Sequence, residues 1–560
     1  MSDSEGNFDV IILGTGLVES IAAAALSKAG VKVAHLDNNQ YYGGDEASLT
    51  LDELARWADS RSAPSENSEK LSSYLVAQRA KFTSVSRSPL VPDHPRHYSI
   101  SLAPSLILSV GPLISSLVAS GVSRYGGYRL LERVGIYSSN GGLQNVPGSK
   151  EDVFKSSLSL LEKRRLMRFL IFASGDFESS KEFQGQEQTP FHDFLQSKFS
   201  LTQEIVDAIV YALAFCSSIA DVTLHALIRL RGYLRSAGRY GASPFLVGHY
   251  GGLGEIAQGF CRVSAVNGGV YILDRNIEEI ATPTSASGDK FVANLDDLPE
   301  PLTADILVAA HDQLPLSLHP LPARDTHISL IARCIAVIDK PIPFPPLLSS
   351  DEGLSEDEVE SASVTPGSED AGGQSSESTT RPESPAEAQL VDTSIIIFPP
   401  CSVNGGSSTN AAQAFTTGAG TLSAPQGKYV VYLSIPIADG EDPEASIDPY
   451  LKTVSSLAEV SEPLFKLIYV QRVPFSHSTT SNIDRPPIFE PPALPPQLAE
   501  ISDFASSAAE SLFFRVIDHL RARNPQAWTT ESSGGSGGDV FAELKVPMWP
   551  PMEGPEEGGD

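Results

Sequence analysis

The chain has 560 residues, 41% of them apolar, which is enough for a large buried core spread over several domains. Its formal charge of −29 comes from 40 basic and 69 acidic side chains. A balance of this sign argues against sequence-independent nucleic-acid binding, which rests on phosphate neutralisation by Lys and Arg.

The N-terminus, MSDSEGNFDV, has neither the basic region nor the apolar stretch of a signal peptide. Phe8 to Leu13 then reads as a buried parallel strand, Leu17 to Ala29 as a helix closed by Gly30, and Val31 to Asp37 as a second strand. Together they form a Rossmann-like βαβ unit. Gly14 and Gly16 match the first two glycines of a dinucleotide fingerprint, and Asp37 stands where a ribose-binding acid belongs. The third glycine is replaced by Glu19. A carboxylate in the first helical turn competes for the positive helix end that a pyrophosphate would occupy. On these residues a bound flavin or nicotinamide is the less favoured reading, and no cofactor is expected.

NNQYYGGDEASLT follows as a turn-rich connection to a helix start near Leu51. Helical spacing recurs from Pro104 to Ser120 and from Lys150 to Ile219, with strand, NGG turn and strand between them around Asn140 to Gly142. Phe260 to Ile280 reads as short strands. More strands are expected at Asp305 to Ala309, Ile328 to Ile338, Thr393 to Phe398 and Lys428 to Leu433. Val403 to Ala424 reads as a flexible loop, and Glu510 to Ala522 as a last amphipathic helix. Asp351 to Asp392 holds twelve acids against Arg381 alone and reads as disordered.

The four cysteines lack the spacing of a zinc or redox site, so no metal is expected. No nucleophile and base pair can be assembled from spacing, and catalysis finds no support. No run approaches the ~20 apolar residues of a membrane span, which favours a cytoplasmic protein.

DVIILGTGLVES, HLDNNQYYGGDEASL, LLEKRRLMRFLIF, GRYGASPFL and YGGLGEIAQGFCRVSAVNGGVYIL resemble, in this order, the conserved regions of the Rab GDP-dissociation inhibitor and Rab escort protein superfamily. The resemblance implies an α/β fold: an FAD-binding-like, GDI-type domain I with the βαβ unit and an additional sheet, and an inserted all-helical domain II. Domain I would occupy 1–147, 238–350 and 393–525, domain II 148–237, the acidic insertion 351–392 and a flexible acidic tail 526–560.

The resemblance further implies a non-catalytic binder of GDP-bound Rab GTPases. Its Rab-binding platform would carry Tyr42, Arg96, Glu255, Arg262, Val270 and Ile272. The inhibitor branch has other side chains at the last two positions. Residues alone allow blander roles: a turn tyrosine for Tyr42, a helix-start acid for Glu255, a strand-edge ion pair for Arg262. The length and KRRLMRFLIF look more like the escort branch, which presents Rabs to the Rab geranylgeranyltransferase heterodimer through a domain II phenylalanine, Phe172 or Phe169. A geranylgeranyl lipid would lie in a helical groove near Ala208, Ala212 and Phe215, with transient membrane contact at delivery. The alternatives are an inhibitor that recycles prenylated Rabs and a flavin-dependent oxidoreductase of the same fold.

Overall fold

The computed structural model describes residues 6–62, 71–140, 142–146, 158–283, 290–296, 298–319, 327–346, 391–475, 487–523 and 547–550. Its central sheet has seven strands among the described residues, one of them the short Ile488–Phe489, which pairs parallel with Leu302–Ala309. Val270–Leu273, Val33–Asp37, Asn7–Leu13 and Leu302–Ala309 run parallel in that order, and Phe291–Leu295 and Ile277–Ala281 extend it antiparallel. Asn7–Leu13 is the middle of the parallel part, which is why VIIL is an unbroken apolar run: both faces of the strand are covered. The helix Leu17–Lys28 covers one face, and its Ala22 to Ala25 are fully buried. Four alanines in a row let the helix Leu253–Val266 approach closely on one side, where Ser27 and Ser264 share a hydrogen bond of 2.8 Å. The helix Ile501–Arg523 packs against the other side.

A second sheet of eight strands is mostly antiparallel, with its long central strands His327–Ile338, Tyr429–Ile437 and Phe465–Phe475. One face packs on the helix Pro443–Leu457. The other joins the helical insertion in the largest core cluster of the molecule. The insertion is therefore not a free bundle: Phe169, Phe191 and Phe194 belong to the same apolar mass as Val337 and Tyr432 of the sheet.

Several sequence expectations need correction. Phe260 to Val266 is not strand but the end of the helix Leu253–Val266, whose Leu253, Ile256, Ala257, Phe260, Val263 and Ser264 recur at three and four and are all buried; strands follow at Val270–Leu273 and Ile277–Ala281. Glycine at 252, 254 and 259 and the β-branched valines obscured that period. Val403 to Ala424 contains the strand Ala412–Thr417, every residue of which is buried. Ala412 and Ala414 face the helix side of the sheet and Phe415 faces the core shared with the insertion. Only Pro112–Ser120 of the segment 104–120 is helical, since Ile107 and Leu108 pair with Leu246 and Phe245. The acidic insertion lies outside the described residues except for Val391 and Asp392. Within the tail, Met548 is buried and Trp549 stacks on Phe260 at 6.0 Å, so this part folds back onto the core.

Candidate functional site

The turn after the first strand is closed by its own side chains. Asp37, 1% exposed, accepts from the Thr15 amide at 2.7 Å and the Thr15 hydroxyl at 2.6 Å, and also from the Asn39 amide at 2.7 Å. The acid expected to face a ribose is thus turned onto the glycine loop that would cradle the phosphates. Burial pushes its pKa up to about 6, against the lowering effect of those hydrogen bonds.

The positive end of the first helix is also taken. Glu46 accepts from the Leu17 amide at 2.9 Å. A Cβ placed on Gly16 would lie 2.6 Å from Glu19 Oε2 and 3.0 Å from Glu46 Oε2. Two buried carboxylates therefore flank the glycine whose open side a pyrophosphate requires. Burial, then the Glu46 charge, holds the Glu19 carboxyl well above its usual range, and burial, then Asp45, pushes Glu46 up to about 7. Beyond them, Gln78 donates to Asp45 and Asp312, and Lys81 pairs with Asp45 and lies 3.9 Å from Asp312. These residues do not fit a flavin or nicotinamide dinucleotide. Glu19 was legible in the sequence. Glu46, Asp312 and Lys81 were not, because they come from segments separated by up to 266 positions in the chain.

The glycines of YYGG and GLGE serve a different purpose: they bring two backbones together. Gly43 has φ +99°, and a Cβ on it would meet Ala47 Cα at 2.8 Å and Gly254 Cα at 3.2 Å. That contact sets Tyr42 beside the start of the Leu253–Val266 helix. Tyr42 packs edge-on against Tyr271 at 6.0 Å, between Val270 and Ile272 on the edge strand of the sheet. Val270 is exposed, whereas Ile272 is only partly exposed and leans on the core beneath.

On the outer face of that helix Glu255 and Arg262 lie two turns apart. Arg262 is exposed, with its guanidinium over the Tyr125 ring at 4.6 Å, so it belongs to a helix and a cation–π contact rather than to a strand edge. Glu255 is half-buried and has no ion-pair partner among the described residues; burial raises its carboxyl. Tyr42, Glu255, Arg262 and Val270 are thus gathered by one helix, one edge strand and one glycine contact. Arg96 stands apart, exposed in the Pro95–His97 turn, where its charge acts on Asp52. Tyr125 was missed by sequence reasoning, since nothing in its local pattern points to Arg262.

In the insertion, Ser159 and Glu162 form a capping box that starts the helix Leu160–Ser174. Phe169 is fully buried, with Phe199 at 5.0 Å, and only Phe172 of the expected pair is partly exposed. Phe172 closes a cluster with Phe177, Phe194 and Phe199. Ala208 and Ala212 lie on a π-helical turn, Ala208–Leu213, a widened geometry common at functional sites. Ala212 and Phe215 are buried, and Phe215 meets Phe245 of the body edge-on at 5.4 Å.

Comparison with known proteins agrees with this architecture. The sequence profile of the family described as GDP dissociation inhibitor matches residues 3–350. A Rab proteins geranylgeranyltransferase component A of Saccharomyces cerevisiae is 28% identical over 451 residues, covering 80% of this chain and 64% of that protein. The Rab GDP dissociation inhibitor beta of Rattus norvegicus is 34% identical over 281 residues, 49% of this chain and 57% of that one. Matches to the curated relatives cover 42% to 64% of their own lengths. A Rab GDI from Plasmodium falciparum shares the fold with a TM-score of 0.61 at 21% identity, over 92% of this chain and 98% of that one. An oxidoreductase from Methanosarcina mazei shares it with a TM-score of 0.50 at 12% identity, over 90% and 99%. The chain belongs to the GDP dissociation inhibitor family.

Proposed function

We propose that this protein is an escort-type binder of GDP-bound Rab GTPases, which it presents to Rab geranylgeranyltransferase and whose geranylgeranyl groups it shields until membrane delivery. The observation that carries this reading is the pairing of a carboxylate-filled cofactor end with an intact surface at Tyr42, Glu255, Arg262 and Val270. Switch loops of a GTPase are mobile with GDP bound, and a partner selects that state by ordering them. An aromatic anchor, an acid and an arginine supply the packing and charge-assisted bonds for this without any catalytic group. Ile272 extends the surface along the edge strand, whereas Arg96, apart in the Pro95–His97 turn, is assigned to it on the resemblance alone.

Phe172, partly exposed beside Arg168, is the contact we assign to the prenyltransferase. The lipid would enter between the phenylalanine cluster and the π-helical turn that carries Ala208 and Ala212. Each buried methylene contributes about 0.8 kcal/mol, so a chain leaving a bilayer needs an apolar site of comparable extent. No helix among the described residues is long and apolar enough to cross a membrane; in this reading the protein is cytoplasmic and touches membranes only at delivery.

Reconstituted Rab prenylation with and without this chain tests the reading. Stimulated lipid transfer is expected. No stimulation, combined with extraction of prenylated Rab from membranes, would favour the recycling inhibitor, which the similarity to the rat protein keeps in view.

A further inference from the structure

Behind the platform lies a small cleft of about 30 Å³ between residues 122–128 and the helix Leu253–Val266. Three polar groups line it. The Tyr128 hydroxyl and His249 Nε2 are buried atoms with no hydrogen-bond partner, and the Glu255 carboxylate has no ion-pair or hydrogen-bond partner among the described residues. Glycines make the space: a Cβ on Gly126 would lie 2.7 Å from the Tyr128 hydroxyl, and one on Gly127 would run into the His249 ring. Burial, then the Glu255 charge, pushes the Tyr128 phenol up to about 12, so this hydroxyl keeps its proton beside the carboxylate. Burial, then Arg129, lowers the His249 imidazole, which favours the neutral ring. With its proton on Nδ1, that ring offers Nε2 as an acceptor.

Leaving the two buried atoms unpaired is costly, and the half-buried Glu255 carboxylate adds a charge at the same cleft, so a cationic ligand able to pair with all three binds favourably. The space holds one head group about the size of a water molecule. A carboxylate, a phenol oxygen and an imidazole nitrogen offer three acceptors around it, and a primary ammonium has three N–H donors on a compact charge. A guanidinium is too broad for this volume. Tyr125 also lines the cleft, and its ring carries the Arg262 guanidinium, so cleft and proposed platform are continuous.

We propose that this cleft receives a lysine ammonium of the GTPase docked on the platform, held by Glu255, Tyr128 and His249. The source of the lysine rests on the function proposed above; the ammonium site itself does not.

Two arms test it. At matched ionic strength, n-propylammonium raises the thermal midpoint of the full chain above its value in tetramethylammonium, and Tyr128→Phe abolishes the difference. Equal midpoints in the two salts, which includes the case of a water filling the cleft, would overturn the ammonium site. In the second arm, Tyr128→Phe weakens binding of a GDP-loaded Rab by about tenfold, the usual scale for a hydrogen bond to a charged group, without lowering the thermal midpoint of the free protein. One Lys→Arg substitution in the GTPase reproduces the loss and adds nothing to it in Tyr128→Phe. Unchanged affinity would overturn the lysine assignment. No Rab binding by the unmodified chain would overturn the functional reading and with it the source of the lysine, while the amine arm still decides the cleft.

Discussion

Glu19 and Glu46 show how a few side chains redirect a fold. Both carboxylates sit at the helix end where a dinucleotide pyrophosphate would need open space, and both have raised pKa values because burial disfavours their charge. Glu46 keeps its proton in the folded state up to about pH 7 and in the unfolded state only to about 4.5. Its contribution is therefore neutral below pH 4.5, and stability falls as pH rises between the two values, by roughly 3 kcal/mol in total. Glu46→Gln retains an acceptor for the Leu17 amide and removes this slope. Thermal midpoints at pH 5 and pH 8 should differ less in the variant than in the parent; an unchanged difference would refute the burial argument. Asp37, pushed up to about 6, contributes with the same sign, so some slope persists in the variant. Glu19→Gly should not create flavin binding, because Glu46 and the Asp37–Thr15 bonds remain in place. A stoichiometric flavin absorbance after incubation with FAD would contradict this. At this scale the sequence displayed the obstruction at Glu19 but not its partners, since Glu46 adjoins a turn whose path only the sheet register defines.

Among the elements, Phe260 to Val266 of the Leu253–Val266 helix was misread as strand, although Glu255 and Arg262 on it were singled out. Short-range glycines and valines masked a period that tertiary packing against the alanine-rich first helix makes decisive. The strands Phe82–Arg87 and Phe465–Phe475 and the helix Pro443–Leu457 were not anticipated; in the helix Pro443 occupies the first turn, where its missing N–H costs nothing, while Pro449 lies inside it. The insertion is tied to the body by Arg229, whose side chain is 9% exposed. It donates to the Ala214 carbonyl at 2.6 Å and pairs with Asp221 at 3.3 Å and Glu500 at 3.5 Å. Arg229→Ala leaves two acids without their cation and should cost about 3–5 kcal/mol, read as a lowered thermal midpoint with faster proteolysis within 158–236. A midpoint shift below one degree would contradict the role. In the phenylalanine cluster, Phe169→Ala should cost about 3–5 kcal/mol and Phe172→Ala clearly less, because only Phe172 retains solvent access. If Phe172 meets the prenyltransferase, its truncation abolishes recruitment of that enzyme while the protein stays folded. Retained recruitment would remove Phe172 from the contact.

For the whole molecule, the parallel sheet, the second sheet and the helical insertion followed from ordered motifs, because the βαβ unit and helical spacing are local signals. The continuity of the insertion's core with the eight-stranded sheet, and the return of Trp549 onto Phe260, are long-range facts that no local pattern carries. The same holds for the surface itself: Tyr42 and Glu255 stand 213 positions apart in the chain and meet through Gly43 and Gly254. That surface lies beside a cofactor end filled by carboxyl groups, and the most direct test of its role is nucleotide selectivity. The affinity of the purified chain should be measured for one Rab GTPase loaded with GDP and with a non-hydrolysable GTP analogue. The GDP form should bind at least about tenfold more tightly, and Tyr42→Ala or Arg262→Ala should remove most of that affinity. Equal binding of the two nucleotide states, or affinity untouched by either substitution, would contradict that role.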